Sequence, residues 1–416
     1  MKSNTPPMSP VQPESNEDDE EFDIGDIEEV IELNENTDVE ELAERLVASS
    51  SEAPQDAPEQ MEDEEMITDM ATTVFDKHKG SVFTCSISPN GSMAATGGED
   101  DLAYVWKITD GNVIFTCTGH KDSVTHTSFS HDGKLLATGD YGGYIQVWDV
   151  DSSSKIWEFE VGDLGWLSWH HASHVLLAGT VDGEMWMWLV PQGNTRTFPS
   201  YGSASLCGTF LHDGKRAVAG YEDGCVRVFD LKNGQLLHQV TDDSEDVSPV
   251  INLAVQKDDA LIIIGSTDGK AKLFNTNNGK LVGVLNCEVS EATDEEADTP
   301  LDHTVEAVTF CPHLPNIAVT ATLAGFVTMW DVSSKAVRHT LGQGCGSSHL
   351  MWHPHEPVLF TAGLDGAVRS YDARSGEPLA RYTGHKQSIL SFSVSNDGSL
   401  LLTASDDGTA RVFKMS

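Results

Sequence analysis

A single phrase recurs eight times along the chain: an Asp-Gly-like turn, then an alternating strand that closes on an aromatic residue. GYEDGCVRVFD closes on Phe229, GSTDGKAKLF on Phe274, AGLDGAVRSYD on Tyr371 and ASDDGTARVF on Phe413; the other closing residues are Trp106, Trp148, Trp188 and Trp330. Successive closing residues lie 42, 40, 41, 45, 56, 41 and 42 positions apart. A period near forty with four short strands per unit predicts an all-β, eight-bladed β-propeller of the WD-repeat kind. In each unit, strand a is an apolar alternating run such as SVTHTSFS (123–130), and strand b follows a turn, as in KLLATGD (134–140). Strand c ends on the aromatic, and strand d comes after it, as in KIWEFE (155–160). The last strand c ends three residues from the chain's end, so TTVFDKH (72–78) is expected to supply the missing fourth strand and close the ring. The expected division is an acidic disordered tail over 1–71 and the propeller over 72–416.

Charge narrows the function classes. The chain carries 66 acidic and 25 basic side chains, a formal net charge of −41. Residues 1–70 hold 24 of the acids and only Lys2 and Arg45 as bases, and the remainder is acidic too. Nucleic acids and anionic membranes need Lys and Arg to neutralise phosphate, so neither is an expected partner. A basic protein segment is the natural complement. Seven scattered cysteines without a CxxC pair suit reduced thiols in the cytoplasm or nucleus. No signal-peptide core and no membrane-length apolar run occur, and a monomer is expected.

Within the tail, EEFDIGDIEEVIEL (20–33) alternates acids with Phe22, Ile24, Ile27, Val30, Ile31 and Leu33. It reads either as a docking segment or as a solvated tail with incidental apolar residues. The long fifth-to-sixth spacing comes from CEVSEATDEEADTPLDH (287–303), which includes Glu295 and Glu296; a shorter acidic stretch, TDDSEDVS (241–248), precedes the fifth blade. Both insertions are d–a loops, which share a propeller face with the b–c turns.

His78, Thr96, Asp100 and Trp106 form a constellation that chemically resembles a Ser/His/Asp relay. The reading adopted is structural, because no nucleophile or oxyanion site accompanies it and a hydrogen-bonded chain of this kind fixes the b–c turn against the d–a loop. The eighth unit keeps His385, Thr403 and Asp407 but ends in Phe413; the second keeps His120, Thr138 and Trp148 but has Gly142 at the turn-Asp position. The Asp six residues before the closing aromatic (Asp100, Asp182, Asp223, Asp268, Asp365 and Asp407) is expected mainly to cap its own turn. The residue before that turn position points more freely outward: Glu99, Tyr141, Val181, Glu222, Thr267, Leu323, Leu364 and Asp406. Glu99, Asp101, Tyr141, Glu222, Asp406, Glu295 and Glu296 are therefore the expected partner-binding residues. Trp166 joins them, as an aromatic near the mouth that suits an Arg- or Lys-bearing peptide; its alternative is packing under a loop. His170-His171 and His353-Pro-His355 lack zinc spacing, and 287–303 lacks a calcium ligand ladder. No P-loop, GxGxxG, GxSxG or HExxH occurs, so neither cofactor nor catalysis is expected.

GDLGWLSWH, LLAGTVDGEMWMW, DGKRAVAGYEDGCVRVFDL and YDARSGEPLARYTGH closely resemble the angio-associated migratory cell protein family of WD-repeat proteins. The resemblance spans about residues 72–416 and, in character, the acidic tail. Fungal relatives are dedicated chaperones that capture a basic large-subunit ribosomal protein, which implies that role here. Animal relatives imply the alternative, a scaffold in cell migration and cytoskeletal signalling.

Overall fold

The computed structural model describes residues 68–241, 247–288 and 302–415. The tail segment 20–33, Glu295 and Glu296 lie outside the described residues. The strands of the described residues build eight antiparallel four-stranded sheets, which form an eight-bladed propeller. Blade 1 runs in chain order through Val82–Ile87, Met93–Gly98, Ala103–Lys107 and Val113–Cys117, strands a to d. Blade 8 combines Ile389–Val394, Leu400–Ser405 and Ala410–Lys414 with Thr73–Phe75 from the other end of the chain.

That last pairing closes the ring. Thr73 faces Val412 and Phe75 faces Ala410 in antiparallel register. Phe75 is fully buried and stacks on Trp106 of blade 1, ring centroids 4.7 Å apart and nearly parallel. The closing strand therefore joins blade 8 by hydrogen bonds and blade 1 by apolar packing. Bonding reaches back beyond the expected start at residue 72: Met70 N donates to Thr383 O at 2.9 Å, Thr383 Oγ1 donates to Thr68 O at 2.8 Å, and Asp69 pairs with Arg411.

Inner strands read differently from outer ones because neighbouring blades cover both of their faces. All six residues of Leu135–Asp140, a strand b, are buried, whereas exposure alternates along the outer strand Ser154–Glu160. The closing aromatics are the wedges between blades: Trp106, Trp188, Phe229, Phe274 and Phe413 are almost fully buried. Phe75, Trp106, Leu402 and Val412 share one such cluster, so each blade buries apolar surface on the next. Burial of one such ring contributes about 2–3 kcal/mol.

Every strand a carries a register shift after its first residue, between Val82 and Thr84 in blade 1 and between Leu164 and Trp166 in blade 3. Such bulges change which side chains face the core. Past the bulge the register of blade 3 is unbroken from Trp166 to Trp169, so the two rings take opposite faces of the strand, and this corrects the expectation for Trp166. Its indole is buried between blades 3 and 4, with Nε1 donating to Ser205 Oγ at 2.9 Å. Gly179 and Gly208 make room for it; a Cβ on Gly208 would sit 2.2 Å from the ring. Trp169 is half-buried and packs on the other side, against the cluster shared by blades 2 and 3, with Nε1 donating to Ser128 O. Trp166 is thus a packing residue and does not reach the mouth.

Candidate protein-binding rim

The face formed by the b–c turns and d–a loops is held by a repeated backbone clasp. In seven blades, the residue just past strand b donates its N–H to a carbonyl at the entry to strand a of the same blade. Glu99 donates to Ser81 O, Tyr141 to Ser123 O and Glu222 to Ala204 O, each at 2.9 Å; Asp406 donates to Ser388 O at 3.1 Å. Val181, Leu323 and Leu364 do the same with Asp163, Thr304 and Gly346. Because the backbone is consumed by the clasp, each side chain at this position is left to define the rim.

Those side chains divide the rim by chemistry. Glu99, Glu222 and Asp406 are exposed acids, whereas Tyr141, Val181 and Leu364 are exposed apolar groups. Glu99 and Asp406 belong to adjacent blades and converge on one residue: Ser81 N donates to Glu99 Oε2 at 3.1 Å, and Ser81 Oγ donates to Asp406 Oδ1 at 2.5 Å. Among the described residues, none of Glu99, Asp101, Glu222 or Asp406 forms an ion pair. A cleft of about 580 Å³ opens at Asp406, lined by Asp76, Asp406 and Asp407 together with Lys386. Asp101 occupies the position where the Asp-Gly turns place glycine, at φ 59°, the left-handed region that few side chains adopt.

Below the rim, hydrogen-bonded relays hold the turns in place. His78 bonds Asp100 through Nδ1 at 2.9 Å and Thr96 through Nε2 at 3.0 Å, while Trp106 Nε1 donates to Thr96 Oγ1 at 3.3 Å. Burial opposes charge on Asp100, but the His78 interaction and the N–H groups of Lys79 and Leu102 hold its carboxyl below the ordinary value. The four residues lie beneath the turn, with neither a nucleophile nor an oxyanion site among them, so the arrangement positions a loop. Blade 8 repeats it with His385 bonded to Asp407 at 2.9 Å and Thr403 at 2.7 Å, and without an aromatic donor.

Blade 2 departs from expectation. Gly142 leaves no gap, because Asp140, at the end of strand b, takes the turn-Asp role. His120 bonds Asp140 at 3.2 Å and Thr138 at 2.8 Å, and Asp140 also accepts from Lys121 N and Tyr144 N. The carboxylate reaches the same histidine nitrogen from two residues earlier in the chain. The member left out is Trp148, whose Nε1 has no partner among the described residues.

Blades 4, 5 and 7 use another device, which sequence reasoning missed. Their turn aspartates cap their own turns, Asp223 to Cys225 N, Asp268 to Lys270 N and Asp365 to Ala367 N. Each also pairs with a cation four residues on: Asp223 with Arg227 at 2.7 Å, Asp268 with Lys272 at 3.1 Å, and Asp365 with Arg369. The signal was present as a basic residue in mid-strand c (DGCVR, DGKAK, DGAVR), a place where burial makes an unpaired charge costly.

The chain matches the WD domain, G-beta repeat family over residues 70–107, 111–149 and 376–414, and the outer membrane protein assembly factor BamB family over 200–382. It is 40% identical over 348 residues to the angio-associated migratory cell protein of Homo sapiens, covering 83% of this chain and 80% of that one. It is 25% identical over 399 residues to the ribosome assembly protein SQT1 of Saccharomyces cerevisiae, covering 86% and 91%. Its fold is similar to that of Chaetomium thermophilum Sqt1 bound to the N-terminus of the ribosomal protein L10, with a TM-score of 0.74 and 22% identity over 84% of this chain and all of that one. None of these names an enzyme.

Proposed function

The chain belongs to the angio-associated migratory cell protein family, and we propose that it is a non-catalytic binding protein whose rim captures the basic segment of a large-subunit ribosomal protein during assembly. The observation that carries this reading is the convergence of Glu99 and Asp406 on Ser81, with neither acid in an ion pair among the described residues. Carboxylates held in one place outside any ion pair lower the potential around them and steer a polycation toward them. The strained Asp101 supports the same reading, since an acid kept where a turn prefers glycine points to a use for its charge. The similarity to Sqt1, solved with a ribosomal-protein terminus, suggests the class of segment. Shielding that segment from nucleic acid until handover is the chaperone step.

The test is to purify the tagged protein at low salt and identify what co-elutes, in parallel with Glu99→Lys/Glu222→Lys/Asp406→Lys. Basic ribosomal proteins should accompany the wild type and be lost from the triple reversal. The human relative's name favours a second reading, a scaffold in cell migration. That scaffold would retain its partners in the triple reversal, because they would dock away from this rim.

A further inference from the structure

Between blades 2 and 3 the rim becomes a continuous amphipathic strip. Tyr141 is 53% exposed and Val181 is 42% exposed, two large apolar side chains at consecutive clasp positions, whereas in the other such pair Leu323 is half-buried. They are tied together by backbone: Leu164 N donates to Tyr141 O at 3.0 Å, and Val181 N donates to Asp163 O at 2.8 Å. Asp163 and Leu164 are consecutive residues where the entry loop of blade 3 passes into its strand a, so two hydrogen bonds tie the backbones of Tyr141, Asp163 and Val181 together across a blade boundary. Among the described backbone bonds, this tie from a clasp carbonyl to the next blade's entry loop occurs between blades 2 and 3 alone.

Acids frame the strip. Asp122, Asp163 and Asp182 are all exposed. Asp122 packs over Gly142, next to Tyr141; Asp182 reaches Gly162, next to Asp163. The nearby cation, Lys121, is already paired with Glu160 at 2.8 Å. The strip thus offers a phenol face, an isopropyl group and carboxylates, and it lies between the acidic rim positions Glu99 and Glu222.

We propose that Tyr141, Asp163 and Val181 form a subsite that takes an arginine next to an apolar side chain of the captured segment. The guanidinium lies on the Tyr141 ring and bonds the Asp163 carboxylate, a stacked and charge-paired position that suits arginine better than lysine. The neighbouring leucine, valine or aromatic side chain covers Val181. Salt screens the exposed acids and weakens apolar contact far less, so this subsite gives the rim selectivity among polycations where charge alone gives none. Trp166 was expected to provide the aromatic surface; Tyr141, on the preceding blade, is the exposed aromatic that can. The inference rests on the rim being the capture surface.

Two short peptides of equal charge test it against the full-length protein: arginines spaced by serines, and a twin with leucines beside one arginine. At elevated salt the leucine peptide should bind the wild type about tenfold more tightly, a difference of about 1.4 kcal/mol. Tyr141→Ala/Val181→Ser should erase that preference while weakening the serine peptide by no more than about threefold. Tyr141→Phe, which keeps the ring, should retain the preference. Both changes lie on exposed side chains, and an unchanged melting curve verifies the fold. Equal binding of the two peptides by wild type overturns the subsite, as does a preference that survives in the double variant. If both peptides bind equally and Glu99→Lys/Asp406→Lys abolishes both, the subsite falls and the acidic rim stands. If neither peptide binds wild type, the rim reading falls and the subsite with it.

Discussion

Arg227 donates to Asp223 at 2.7 Å, and its guanidinium is sandwiched between the rings of Tyr201 and Tyr221 at 4.4 and 4.3 Å. Blade 4 thereby holds its b–c turn with a cation from strand c, where blade 1 holds the equivalent turn with His78 from the entry loop. Arg227 is 3% exposed and Asp223 about a third, so removing the guanidinium leaves an acid that water can partly reach. Arg227→Ala should cost about 2–3 kcal/mol, toward the low end for a broken buried pair. Arg227→Lys should recover only part, because an ammonium stacks poorly between two rings. Chemical denaturation of the three proteins measures both; a loss below about 0.5 kcal/mol in Arg227→Ala would show that the pair is ornamental.

The relay aspartates predict a specific acid limb. Burial alone would raise the carboxyls of Asp100, Asp140 and Asp407, but histidine and backbone hydrogen bonds outweigh it and hold all three below their ordinary value of 3.8. A carboxyl that is more acidic folded than unfolded contributes stability that is complete above the unfolded value. That contribution is lost as pH falls through the folded value. Melting temperature should therefore decline below about pH 4. Asp407→Asn should be about 1–3 kcal/mol less stable at pH 7 and show a shallower acid decline. Melting curves from neutral pH downward decide this, and an unchanged acid limb in the variant would count against the relay.

Asp101 should trade stability for binding. At φ 59° it bears a strain that glycine would not. Asp101→Gly should raise stability by about 0.5–1 kcal/mol and weaken binding of a basic peptide at low salt. A variant that is no more stable, or that binds as tightly as wild type, would remove Asp101 from the rim's function.

Trp166 and Tyr141 should separate cleanly. Trp166→Ala opens a cavity between blades 3 and 4 and should cost about 3–5 kcal/mol. Tyr141→Ala should cost less than about 0.5 kcal/mol, as expected for an exposed position. Denaturant midpoints of the two variants suffice; near-equal losses would contradict the burial assigned to Trp166.

These sites show where the sequence was legible. The closing aromatics, the strand period and the completing strand at Thr73–Phe75 all follow from local pattern, because each is a short run whose alternation or turn chemistry is visible by itself. The places of the rim positions in the turns were legible too, since six of the eight precede a turn aspartate by one residue. Trp166 was misplaced because it lies three positions from Trp169, on the opposite face of the strand; that face is covered as well, by blade 4, and a contact with the next blade leaves no local residue signature. Asp140 was missed because a side chain can reach one nitrogen from two different backbone positions. The Asp223–Arg227 device was missed because the histidine relay had supplied the template, and a different pair performing the same task does not match it.

Capture of a basic segment is the role proposed for the acids of the rim that stand outside any ion pair. The most direct measurement is calorimetric titration of the full-length protein with a peptide of the L10 amino terminus across a series of salt concentrations. It is repeated on Glu99→Lys/Glu222→Lys/Asp406→Lys. The prediction is binding that weakens steeply with salt in wild type and falls at least about a hundredfold, about 2.7 kcal/mol, in the reversal at low salt. Equal affinity of wild type and reversal, with the same salt dependence, would contradict it.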